Sequence, residues 1–89
     1  MSDRAEIRAR IEAMVAERGP EKTVCPSEVA RDIAGSDEKK WRLLMAPIRI
    51  EAVALAGEGK LTIRRKGRVV DPADFKGIYR LGPAGSQSG

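Results

Sequence analysis

The chain has 89 residues, enough for one domain around one hydrophobic core. It contains no histidine and only one cysteine, Cys25, which excludes an intramolecular disulfide, a C-x-x-C metal knuckle and histidine-based acid–base catalysis. The formal net charge of +4 suits a polyanionic partner, because cations that bind phosphates release condensed counterions.

Trp41, Phe75 and Tyr79 are the only aromatics, so Ile, Val, Leu, Met and Ala must build the core. A domain of this length buries only about two thirds of the surface its unfolded chain exposes, and modest stability follows. The apolar residues are dispersed, so neither a signal peptide nor a membrane span is expected, and the expected compartment is the cytoplasm.

The first helix is predicted to start at Asp3, with Glu6 completing a capping-box pattern. Ile7, Ile11, Met14 and Val15 recur at helical spacing as its inner stripe. Glu6 with Arg10 and Arg8 with Glu12 are expected i,i+4 pairs on its outer surface. Gly19-Pro20 stops it. Lys22-Thr23-Val24 reads as a short extended segment, since the residue before a proline is pushed out of helical conformation.

Pro26 suits the first turn of a second helix, with Val29, Ala30 and Ile33 inside and Gly35 as its end. Ser36, followed by Asp37 and Glu38, opens a third helical region. Trp41, Leu44, Met45, Ile48, Ala52, Leu55 and Ala56 form its main stripe, with Trp41 expected as the largest core residue. Pro47 cannot donate to the Leu43 carbonyl, so either a kink is expected there or a break with Pro47 starting a new helix. Gly57 and Gly59 terminate the region.

The period then changes. Leu61 and Ile63 alternate with Thr62 and Arg64 as a strand, Lys66-Gly67 turns the chain, and Val69-Val70 returns beside it. Asp71-Pro72 begins a connection through Phe75, and Gly77 to Leu81 makes one more short strand. These elements specify an α+β, winged helix-turn-helix-like fold: three helical segments followed by a small antiparallel β-hairpin or sheet. One domain is expected over residues 1–81, with a disordered tail over 82–89.

Four motifs carry a family resemblance: Cys25-Pro26-Ser27-Glu28-Val29-Ala30-Arg31, Trp41-Arg42-x-Leu44-Met45, Gly67-Arg68-Val69-Val70-Asp71-Pro72 and Gly77-Ile78-Tyr79-Arg80-Leu81. Together they resemble the small bacterial domains known as domain of unknown function family 3253, over about Val24 to Leu81. The resemblance implies a winged-helix-like fold and brings no activity, substrate or catalytic residue with it. This sequence departs from the family pattern after Pro47, where Arg49 is followed by Ile50-Glu51-Ala52-Val53-Ala54-Leu55 rather than by further arginines.

Arg64, Arg65, Lys66 and Arg68 crowd the hairpin tip with no acid among them, more cations than protection of a strand edge requires. They are expected to lie along a phosphate backbone. Arg42 and Arg49, with Lys39 and Lys40 nearer the start of the third helical region, are the second group of candidate phosphate contacts. Past Arg49 that region offers almost no donors suited to base edges, so recognition of low sequence specificity is expected.

Leu43, Ala46, Ile50, Val53 and Ala54 give the same region a second apolar face. The expectation is that Pro47 resets the helical phase so that both faces pack in one core. The alternative is a homodimer seam or a docking surface for a protein partner. Cys25 is expected to be a small buried residue rather than a reactive thiol, since no base or resolving cysteine accompanies it. No catalytic constellation, cofactor motif or metal-ligand cluster is present, so the expected role is binding, to DNA or RNA through phosphates or to a protein, and not enzymatic.

Overall fold

Asp3 starts α1 (Arg4–Arg18) by accepting the Glu6 N–H on its carboxylate at 2.9 Å. Ile7, Ile11 and Val15 are buried along one face, with Met14 packed at the margin. The structure is a computed structural model and describes residues 3–84. In α2 (Pro26–Ala34) the proline occupies the first turn, where a missing N–H costs nothing. The Glu28 carboxylate reaches back to accept the Cys25 N–H at 2.9 Å.

The third helical region is capped by Asp37 rather than Ser36, with the Asp37 carboxylate accepting the Lys39 N–H at 3.0 Å. The region is divided into α3 (Glu38–Trp41), a 3-10 turn (Arg42–Leu44) and α4 (Met45–Gly57), so of the two expected outcomes it is the break that occurs, with a new helix beginning two residues before Pro47. Pro47 lies in the first turn of α4, whose N–H groups have no partner within the helix, so its missing N–H costs no α4 hydrogen bond. At the far end Gly59, at φ 80°, lets the Lys60 N–H return to the Leu55 carbonyl at 2.9 Å.

Three antiparallel strands follow: β1 (Leu61–Arg65), β2 (Arg68–Val70) and β3 (Arg80–Pro83), in the order β2-β1-β3. Lys66 and Gly67, at φ 52° and 80°, form the two-residue loop of a tight hairpin closed by Arg65 opposite Arg68. Val24 exchanges two hydrogen bonds with Leu81, each 2.8 Å, and so adds the expected short strand beside β3. The spatial order Val24, β3, β1 is the small sheet of a winged-helix-like arrangement. Residues 66–79 are then the wing, with β2 folded back along the outer edge of β1.

β3 begins at Arg80 and continues through Gly82 and Pro83, so the ordered fold extends past the expected boundary at Leu81. The rest of the expected tail, residues 85–89, lies outside the described residues.

One core joins the two layers. Ile11 of α1, Val29 of α2, and Ile48 and Leu55 of α4 meet Ile63 and Leu81 of the sheet, all fully buried. Ile63 and Leu81 face each other across β1 and β3. Phe75 and Tyr79 close one end edge to face, with ring centroids 5.2 Å apart. Trp41 is not the centre of this core. It is half-buried at the rim, where the Arg31 guanidinium lies 5.4 Å from its ring.

The second apolar face also departs from expectation. Leu43 and Ile50 remain 75 % and 63 % exposed and Ala46 is exposed as well, while Val53 packs against the core. The change of phase at the 3-10 turn therefore does not bring both faces into the core. Among the described residues, no helix is long and apolar enough to cross a membrane.

Candidate nucleic-acid interface

Strand alternation puts Leu61, Ile63 and Arg65 on the core side of β1 and Thr62 and Arg64 on the outer side. Arg65 lies past the edge of the core. Its Nε donates to the Ile78 carbonyl at 2.9 Å, and its guanidinium rests on Gly77, where a Cβ would come within 2.8 Å of Nη2. On the opposite side, Arg64 Nε donates to Thr62 Oγ1 at 3.1 Å, and the side chain lies over Gly82. Both arginines are anchored through one nitrogen and lie flat on a glycine. Lys66 and Arg68 project from the tip and are exposed.

Arg80, which was not among the sequence candidates, stands directly across the sheet from Arg64. It donates to the Thr23 hydroxyl and, at 3.2 Å, to the Thr23 carbonyl. Like charges directly opposite in a sheet repel, so Arg64 and Arg80 gain from an anion laid between them. The signal for Arg80 was its place in a strand that pairs with β1, which depends on a long-range register. Lys76 adds a further exposed cation on the wing.

The wing carries two exposed acids, Asp71 and Asp74, and neither pairs with a cation there. Among the described residues, the ion pairs involve Arg4, Arg8, Arg10, Arg18, Arg42 and Lys60, and none includes Arg64, Arg65, Lys66, Arg68, Lys76 or Arg80. The expected surface pairs along α1 are replaced by tertiary ones. Arg10 Nε lies 3.0 Å from Asp32, and Arg8 pairs with Glu51 and Glu58 instead of Glu12. Glu28 sits 3.2 Å from Arg18, and the Cys25 N–H together with that guanidinium holds its carboxyl below the usual range.

The helical candidates fare differently from the wing. Lys39 and Lys40 are exposed near the start of α3. Arg42 is exposed and lies 3.7 Å from Glu38, a surface pair worth less than about 1 kcal/mol and easily given up to a phosphate. Arg49 is half-buried and already engaged. Its Nη2 donates to the Phe75 carbonyl at 3.1 Å, and its guanidinium stacks 4.0 Å from the Phe75 ring and 5.6 Å from the Tyr79 ring. It ties the wing to α4. Arg49→Met is therefore expected to cost about 2 kcal/mol of stability in urea denaturation, from one charged hydrogen bond and the cation–π contacts.

A buried carboxylate was also missed. Glu51, only 2 % exposed, accepts Arg4 Nε at 2.7 Å and lies 3.3 Å from Arg8 Nε. The signal was present: Glu51 is three residues after Ile48 and four before Leu55, on the inner stripe of α4. Cys25 is half-buried rather than buried, with Sγ 3.0 Å from Ser27 Oγ. Among the described residues, no group of three or more His, Cys, Asp or Glu side chains could hold a metal ion.

No curated protein matches the chain. The model of the family described as protein of unknown function (DUF3253) matches residues 4–84, from the first residue of α1 to just past β3. That span takes in all four motifs on which the resemblance rested and the whole described fold, and the chain belongs to the DUF3253 family.

Proposed function

We propose that this domain is a nucleic-acid-binding module of low sequence specificity, acting in the bacterial cytoplasm through its wing and sheet rather than through a recognition helix. The observation that carries this reading is a local excess of unpaired cations: Arg64, Arg65, Lys66, Arg68, Lys76 and Arg80 of the wing and sheet have no carboxylate partner among the described residues, against two exposed acids, Asp71 and Asp74, in the same region. Lys66 and Arg68 meet the phosphate backbone at the tip, and Arg64 with Arg80 extends the contact across the sheet. Bases are not read, because the 3-10 turn presents Leu43 outward, and α4 Ala46 and Ile50, where donors would be needed.

The test is fluorescence anisotropy of a labelled DNA duplex titrated with protein over a range of salt. Binding is expected to weaken steeply with salt and to be indifferent to duplex sequence. Lys66→Ala with Arg68→Ala is expected to reduce the log–log salt slope by about 2, one unit for each phosphate contact removed. Absence of binding at low salt, or an unchanged slope in the double variant, contradicts the reading.

A second reading rests on the exposure of Leu43 and Ile50, which suits a homodimer or a protein partner docked on α4. Sedimentation equilibrium would then show a mass that rises with concentration and falls back to the monomer in Ile50→Glu. A monomer at all concentrations removes the homodimer.

A further inference from the structure

A groove of about 510 Å³ lies between the start of α2, the α3–α4 corner and the wing, within the size range of small-molecule sites. Pro26, Trp41, Met45 and Ile78 give it apolar walls, and Cys25 Sγ and Ser27 Oγ stand together in it. Ile78 is 85 % exposed, an apolar side chain left in solvent at the groove mouth. Tyr79 forms part of the same wall. It is 8 % exposed, and its phenolic OH is buried with no hydrogen-bond partner. A buried hydroxyl without an acceptor is costly and uncommon, and it marks a place where an acceptor from outside the chain would be gained.

Two guanidiniums flank the groove walls, and the Glu28 carboxylate lies behind Cys25, accepting its N–H and paired with Arg18. The Arg31 guanidinium covers the Trp41 ring, and the Arg65 guanidinium rests on Gly77. Neither has a carboxylate partner among the described residues. We propose that this groove is a binding site for a small aryl or short-chain carboxylate, its apolar body against Trp41, Met45 and Ile78 and its oxygens taken by Tyr79 OH and the flanking guanidiniums. The site goes beyond the nucleic-acid reading, and neither depends on the other.

The experiment is a titration with phenylacetate in the absence of nucleic acid, followed by ¹⁵N NMR and by the fluorescence of Trp41, the only tryptophan in the chain. The expected result is saturable shifts at the Trp41 indole and the Ser27, Gly77 and Ile78 amides, with a Kd of about 5 mM or below for a ligand of this size. Tyr79→Phe keeps the ring and removes only the hydroxyl, and is expected to weaken binding about threefold or more. Arg31→Gln is expected to do the same, as is replacing phenylacetate with the uncharged 2-phenylethanol. Shifts that do not saturate, or a site elsewhere on the fold, would overturn the proposal. So would equal affinity for the alcohol and the carboxylate, or a Tyr79→Phe variant that folds and binds like the parent.

Discussion

Glu51→Ala is expected to destabilise the domain by about 3 kcal/mol, the low end for breaking a buried ion pair. The Glu51 carboxylate is fully enclosed and joins α4 to α1 through Arg4 and Arg8. Its removal leaves a void beside Ile48 and Leu55 and strips the buried Arg8 Nε of its nearest acid. The loss is held at the low end because Arg4 is 79 % exposed and Arg8 keeps Glu58. Arg4→Ala is correspondingly expected to cost less than about 1 kcal/mol. Glu51→Gln, which keeps the shape and one acceptor, should fall between the two. Urea denaturation of the three variants checks the order, and a Glu51→Ala variant as stable as the parent would show that the clamp contributes nothing.

The second large effect is expected in alkali. Burial pushes the Tyr79 phenol up from its ordinary value of 10 to about 12, with the nearby Cys25 adding to the rise and Arg49 opposing it. The folded state therefore holds a proton that the unfolded chain has lost above pH 10. Its stabilising contribution is intact below pH 10 and is lost as pH rises towards about 12. The loss is roughly 1.4 kcal/mol per pH unit, or about 2–3 kcal/mol across the window. Tyr79→Phe cannot ionise and should lack this component. At neutral pH it should be more stable by about 1 kcal/mol, since it removes a buried hydroxyl that has no partner. Stability curves against pH for the two proteins should run parallel near neutral pH, with Tyr79→Phe the higher, and diverge above pH 10; curves that stay parallel above pH 10 would contradict the burial of the phenol.

Where local chemistry settled the structure, the sequence was readable. Asp3 and the Ile7, Ile11, Val15 stripe specify α1, and Lys66-Gly67 between alternating residues specifies the hairpin, because each signal lies within a few residues. The family motifs were legible for the same reason. What could not be read depends on distant partners. Arg49 looked like a surface cation until Phe75, far along the chain, placed an aromatic face and a carbonyl on it. Arg8 and Arg10 had plausible neighbours on their own helix, yet tertiary acids took both. The fate of Leu43 and Ile50 turned on where a 3-10 turn shifted the helical phase, and Pro47 misdirected that expectation because a proline suits a first turn as well as it breaks an interior. Glu51 was legible from its spacing alone, and only its charge hid it among outer-face residues.

The central claim is that the wing and sheet, rather than α4, meet nucleic acid. The most direct measurement is a ¹H–¹⁵N NMR titration of the protein with a short DNA duplex at low salt. The expected result is shifts concentrated at Lys66, Gly67, Arg68 and Arg80, reversed by added salt, with Leu43 and Ile50 unmoved. Shifts centred on Leu43 to Ile50 with a silent wing, or no shifts at any salt concentration, would contradict it.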